Sequence, residues 1–165
     1  MTRILVAHGS KRGGTAEIAE WIGAELCETP GVVVDVRPAA EARDLAGYDA
    51  VVIGSAVYVG RWVPEARRFA RRHRAALVHL PVWAFSSGPL DRSAQEGEVP
   101  PTRSIAKIVE RVGARDHVTF GGRLTADAKG FVAARLAKER GGDYRDRDQI
   151  RAWARAIVKE LQPTP

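Results

Sequence analysis

Five short apolar runs recur along the chain, and most are followed by a segment whose hydrophobic residues repeat at helical spacing. That alternation constrains the fold more than any other feature. Arg3 to His8 reads RILVAH, aliphatic without a polar face, as a strand buried on both sides does. From Thr15 the period lengthens: Ile18, Trp21, Ile22 and Leu26 share one helical stripe, and ETPG stops the helix before Val32. VVVDV reads as a second strand, RDLAGYD as a connection, and AVVIGSA from Ala50 as a third, fully apolar and central strand. Pro64 suits a first helical turn, and Ala66, Phe69, Ala70, His73 and Leu77 mark the face that follows. LPVWAFS gives a fourth strand, with Ile105, Ile108, Val109 and Val112 as the next stripe. HVTFGG gives the fifth. Asp146 and Gln149 resemble a capping box for a last helix facing inward with Ile150, Trp153, Ala154, Ile157 and Leu161.

Strands alternating with helices predict an α/β sandwich around a parallel sheet. Right-handed crossovers leave few topologies, and in each of them ligands gather at the carboxyl ends of the strands. Three loops there are chemically unusual: GSKRGGT, GSAVYVGRW and SSGPLD. At 165 residues a single domain spanning 1–165 is expected. The one cysteine, Cys27, cannot form an internal disulfide, and no apolar run reaches signal-peptide or membrane-spanning length. A cytoplasmic protein is expected, with peripheral contact at the inner membrane face as a further expectation.

In the first loop, Gly13 and Gly14 allow a tight turn that points several N–H groups at one anion. Thr15 opens the helix and adds a hydroxyl and the positive end of the helix dipole. Ser10 supplies a second hydroxyl, and Lys11 and Arg12 full charge. The loop lacks a GK[ST] ending and is not G-x-G-x-x-G, so neither triphosphate hydrolysis nor a dinucleotide site is indicated. In the second loop Val57, Tyr58, Val59 and Trp62 surround Gly60 and offer an apolar wall to a flat ring. Gly60 permits close backbone approach or a peptide flip.

SKRGGTAEIA is similar to the phosphate loop of flavodoxins. YDAVVIGSAVYVGRW resembles that family's third strand and first flavin-flanking loop, and VWAFSSGPL stands where the second flanking loop belongs. The resemblance covers nearly the whole chain. It implies a three-layer flavodoxin-like sandwich with a five-stranded parallel sheet in the order 2-1-3-4-5, and FMN as cofactor. The residues it implicates are Ser10, Lys11, Arg12, Gly13, Gly14 and Thr15 around the phosphate. Ala56, Val57, Tyr58, Val59, Gly60, Trp62, Ser86, Ser87 and Gly88 would lie around the ring. Arg12 stands where flavodoxins usually carry a hydroxyl, and Gly14 where they often carry Asn. Within the flavodoxin-like proteins, the menaquinone-dependent protoporphyrinogen dehydrogenase group looks closer. It shares a pattern like VVIGSAVYVG, a basic third helix and a polar insertion after GG, here about residues 125–145 with a helix near 131–136. That likeness implies an oxidoreductase working with a redox partner protein, a quinone or a porphyrinogen.

Two other readings use the same residues. VAHGS also looks like the first strand of small tetrapyrrole metal chelatases, with His8 as a ligand, although His73, His79 and His117 do not repeat the pattern. A scaffold without cofactor, serving as an interaction module, is the other. No side chain is an obvious acid or base; Asp91 is chosen by position alone, and no metal set is assigned. The formal charge is +6, and of 26 basic residues only five are lysine. Arg67, Arg68, Arg71, Arg72 and Arg74 line one helix, as a solvated face or as a docking surface for an acidic partner or anionic membrane. No aromatic stacking platform accompanies them, so nucleic acid is not expected.

Overall fold

Each apolar run forms a strand, because a segment without a polar face buries both sides only inside a sheet. In the computed structural model, which describes residues 1–10, 13–88, 93–124 and 142–162, β1 (Thr2–Gly9), β2 (Val32–Pro38) and β3 (Ala50–Tyr58) lie side by side. A two-residue β4 (Arg61–Trp62) turns back antiparallel on β3, and β5 (Val82–Ser87) and β6 (Asp116–Phe120) complete the sheet. The order is β2-β1-β3-β5-β6 with all five long strands parallel. With β4 set aside this is the expected 2-1-3-4-5. The order reverses between β1 and β3, so a crevice opens where the first loop leaves β1.

Helices cover both faces. On one, α1 (Gly14–Cys27) packs over Ile4, Val6, Val52 and Phe85. On the other, α2 (Pro64–Arg72) and the single turn α3 (Arg74–Leu77) cover Leu5, Ala7, Val51 and Ile53. After α4 (Ser93–Glu96), α5 (Arg103–Val112) joins the α2 side and α6 (Arg147–Leu161) the α1 side. Each fully buried Ile, Leu or Phe contributes roughly 2 kcal/mol.

The helical stripes hold with physical exceptions. The helix expected from Pro64 to Leu77 breaks at His73 (φ −102°, ψ 12°), whose half-buried ring leans on Phe69 at 4.8 Å. Trp21 is only half-buried, since Arg145 and Arg147 roof its ring at 4.5 and 5.2 Å. The capping box is half made. Asp146 accepts the Gln149 N–H at 3.1 Å, but the Gln149 amide donates instead to Ala94 O at 2.8 Å and ties α4 to α6.

Gly54 stands opposite Phe85 in the β3–β5 register, and a Cβ there would lie 2.0 Å from the Phe85 ring. Only a residue without a side chain lets that ring lie flat across the sheet. Gly54→Ala is expected to destabilise the fold by on the order of 2 kcal/mol, read as a lower urea midpoint. An unchanged midpoint would mean that Phe85 does not pack across this glycine.

Acid stability follows from the polar contacts. Burial lowers the pKa of His8, His73 and His117. The unfolded chain therefore takes up more protons just below the ordinary histidine value of 6.5, and stability falls as pH drops through that range. Glu25 accepts hydrogen bonds from Arg151 (2.9 Å) and Arg155 (2.6 Å), which hold its pKa below the ordinary range. Tyr48 and Arg3 do the same for Asp35, and Arg145 for Asp143. Those contributions are lost only as the acids protonate. The urea midpoint is thus expected to decline in two stages, first below about pH 6.5 and again below about pH 4.5. A midpoint that rises between pH 7 and 5.5 would contradict the histidine assignment.

Candidate functional site

The first loop leaves β1 at Gly9. Ser10 Oγ accepts the Gly13 N–H at 3.1 Å and closes the turn; Lys11 and Arg12 lie outside the described residues. Gly13 caps α1 in the left-handed conformation (φ 82°), and no side chain caps the helix. The first amides of α1 are therefore left for an external acceptor, where the helix dipole adds partial positive charge. Gly14 and Thr15 are buried at this end, and the Thr15 hydroxyl has no hydrogen-bond partner among the described residues.

Two arginines absent from the sequence-based site stand beside this turn. Arg123 reaches Glu17 at 2.8 Å, and its Nη2 lies 3.8 Å from where a Cβ on Gly13 would sit. Arg145, its side chain 4% exposed, bonds Glu17 at 3.2 Å, Asp143 at 2.8 Å and the Gly14 carbonyl at 3.2 Å. Arg123 begins β7 (Arg123–Leu124), which pairs antiparallel with β8 (Gly142–Asp143), and Arg145 follows two residues after β8. That pair closes the base of the expected insertion. Residues 125–141, including the helix expected at 131–136, lie outside the described residues.

The second loop is a two-residue hairpin in which Tyr58 pairs with Arg61. Both central residues have positive φ, 52° at Val59 and 73° at Gly60. Such turns fit the strand twist but prefer Asn, Asp or Gly. A β-branched Val there costs roughly 1–3 kcal/mol, and this Val59 is 88% exposed. Tyr58 beside it is 40% exposed. The Gly60 carbonyl accepts the Thr102 hydroxyl at 2.6 Å, and Thr102 also caps α5, so a flip of that peptide would break an existing bond. Trp62 corrects the expectation of a ring wall. Its indole turns inward, 1% exposed, and supports the hairpin from beneath.

What holds Trp62 is the third loop. Its N–H donates to Ser86 Oγ at 2.8 Å, and Ser86 Oγ lies 2.8 Å from His117 Nε2. An indole can only donate, so the serine accepts from it; which of Ser86 and His117 donates in their contact is set by the tautomer of a ring that burial keeps neutral. Ser87 is likewise buried and donates to the Gly121 carbonyl at 3.4 Å. The Gly88 N–H goes to Phe120 O at 3.1 Å, and Gly88 sits so close to Val57 that a Cβ would stand 3.2 Å from the Val57 Cβ. The hydroxyls expected to face a ligand from this loop therefore face the core. Ala56 and Val57 are half-buried beside them, and Asp91 lies outside the described residues.

A separate cavity of about 180 Å³ opens beside the first loop, among His8, Ser10, Gly13, Pro38, Ala39 and Glu65. It is too small for a tricyclic ring. His8 is 9% exposed and its Nδ1 has no partner among the described residues. Among those residues no three His, Cys, Asp or Glu side chains gather as a metal site.

This geometry suits a phosphate at the open end of α1 and a flat apolar body near the Tyr58–Gly60 hairpin. The sequence matches the family described as Flavodoxin domain over residues 5–138. The chain belongs to the flavodoxin domain family. None of the curated proteins matches it. Among solved structures, flavodoxin 1 from Bacillus cereus is 15% identical, with a TM-score of 0.62 over 98% of this chain and 100% of that one. A short-chain flavodoxin associated with a non-canonical PDU bacterial microcompartment gives 16% and 0.64, with 98% and 100% covered. The rubredoxin oxygen:oxidoreductase of Desulfovibrio gigas gives 12% and 0.61 over 99% of this chain, which spans 38% of that protein. At these identities the neighbours establish the flavodoxin fold. No helix among the described residues of the flavodoxin domain is long and apolar enough to cross a membrane.

Proposed function

We infer that this flavodoxin domain binds FMN and passes electrons between partners. One observation carries the reading: α1 begins at a left-handed Gly13 with no side-chain cap, at the edge where the sheet order reverses. An FMN phosphate would take the amides of Gly14 and Thr15, the Thr15 hydroxyl and, with the Glu17 pair loosened, Arg123, while Ser10 keeps the Gly13 N–H. The exposed Tyr58 and Val59 would meet the ring. The flavin would supply the redox chemistry; the chain binds it, orients it and shields it from water. The narrower assignment to protoporphyrinogen dehydrogenases, with a quinone or porphyrinogen as partner, draws no support from the family match or the neighbours, which name flavodoxins and flavin oxidoreductases. The chelatase reading lacks convergent ligands around His8 among the described residues.

The test is direct. Protein mixed with FMN and desalted should keep yellow absorbance with quenched fluorescence; a colourless protein would refute FMN binding. The potential is a second readout. Arg61, exposed at the hairpin, would stabilise a reduced, anionic flavin. A cation about 8 Å away contributes roughly 2 kcal/mol at an effective dielectric of 20, and less than half of that when exposed. Arg61→Gln is therefore expected to shift the bound flavin's midpoint more negative by about 20–40 mV, measured by dye-coupled titration. No shift would remove Arg61 from the ring's surroundings.

A further inference from the structure

Most of the arginines near α1 and α6 have partners: Arg123 and Arg145 pair with Glu17, and Arg151 and Arg155 with Glu25. On the opposite layer the pattern inverts. A groove of about 710 Å³ runs between α2 and α5, and Arg61, Arg67, Arg71, Arg74, Arg103, Lys107 and Arg111 line it. No carboxylate lines it, and none of the seven has an acidic partner among the described residues. Arg67 and Arg74 spend one N–H each on the carbonyls of Trp62 (3.1 Å) and Arg111 (3.3 Å), which fixes their heads at the rim. The floor is apolar: Ala70, Ile108 and Val112.

Seven like charges around one groove repel each other and destabilise the free protein. They fall into two rows. Arg67, Arg71 and Arg74 step along α2 and α3, facing Arg103, Lys107 and Arg111 along α5. Along α5 four residues per step separates the heads by about 6 Å and spreads that row over roughly 12 Å; Arg67 and Arg71 keep the same step on α2, and Arg74 follows across the break at His73. A small anion needs two or three cations converging on a point. Two parallel rows flanking an apolar floor suit a longer occupant with carboxylates on its flanks and aliphatic side chains between them.

We propose that the α2/α5 groove is a docking surface for an acidic, amphipathic polypeptide segment of a partner protein. Its aliphatic face rests on Ile108 and Val112 while its carboxylates meet both cation rows. A nucleic-acid strand leaves the apolar floor unused and finds no aromatic ring among the described residues lining the groove to stack on. A bilayer surface is flat and meets convex faces, whereas these cations border a concavity. The groove also leads to the candidate site. Arg61 is shared with the Tyr58–Arg61 hairpin, and Thr102, which holds the Gly60 carbonyl, immediately precedes Arg103. A seated partner therefore lies against the hairpin. Its use for electron delivery rests on the flavin reading; the docking does not.

The probe is a fluorescein-labelled 14-residue helical peptide of Glu and Leu, with leucines on one face, followed by anisotropy with the full chain at low salt. Arg71→Glu/Lys107→Glu is expected to weaken binding by roughly 30-fold or more. Arg68→Glu/Arg72→Glu, an equal charge change on the same helix but away from the groove, should cost less than about threefold. If the first pair does not fold, Arg71→Gln/Lys107→Gln should still lose roughly tenfold. Equal losses in the groove and control pairs, or tighter binding of a dT oligonucleotide or phosphatidylglycerol vesicles than of the peptide, would overturn the proposal. FMN retention is measured on the same samples. A colourless protein that binds the peptide at the groove removes the flavin reading alone, and a yellow protein indifferent to the peptide removes the docking surface alone.

Discussion

Gly13→Asp is expected to weaken FMN binding by between about 30- and 100-fold. Two unit charges about 6 Å apart at an effective dielectric of 20 repel by about 2.8 kcal/mol, which is on the order of 100-fold in affinity. The carboxylate would stand at the mouth of the turn that offers its amides to the phosphate. Arg123, 3.8 Å from the new Cβ, would draw toward that carboxylate and offset part of the repulsion, hence the lower bound. Backbone strain does not confuse the result, because Asp tolerates left-handed φ better than most residues. Gly13→Asn separates the two effects. It is nearly isosteric with Asp, shares its tolerance of φ 82° and lacks the charge, so it should stay within about threefold of the unmodified protein. Binding is followed by quenching of FMN fluorescence. Asp and Asn variants that lose affinity equally would show that the phosphate does not lie at this turn.

The contrast between the site's two halves explains what the sequence could and could not reveal. The strands and the tight turn at Gly13 are written locally, in continuous apolar runs, paired glycines and a change of hydrophobic period at Thr15, while the strand order follows from the resemblance to flavodoxins. The hairpin at Val59 is not. Its sequence, YVGR, carries only one of the usual turn residues, and β4 exists because Trp62 is drawn into the core by Ser86, 24 positions later. For the same reason Trp62 reads as a ring wall in the sequence and is a buried support in the fold. Ser86 and Ser87 mislead in the opposite direction. A hydroxyl at a strand's carboxyl end looks available to ligand, but partners at His117 and Gly121 have already taken both. Arg123 and Arg145 had no local signal at all. They reach Glu17 from more than 100 residues away, by way of a strand pair at the base of a segment that looked like an insertion. Side-chain contacts between distant positions leave no such local trace.

Ser86→Ala is expected to destabilise the protein by about 3 kcal/mol. Among the described residues the hydroxyl is the only partner of the buried Trp62 N–H, and it lies 2.8 Å from His117 Nε2. Its removal leaves both nitrogens unmatched, each at a cost of roughly 1–3 kcal/mol. Trp62→Phe removes the donor instead of the acceptor, so Ser86 can still serve His117, and its polar cost should be nearer 1 kcal/mol. The double variant should then be less destabilised than the two singles added together, because the orphaned indole N–H no longer exists. Urea midpoints of the four proteins measure that coupling. FMN affinity should fall in Ser86→Ala even where the protein remains folded. The Trp62 support holds β4 against β3, and that pairing keeps Val59 in a conformation a valine resists. Strictly additive midpoints, with unchanged FMN affinity, would mean that the Trp62–Ser86–His117 chain neither stabilises the fold nor positions the hairpin.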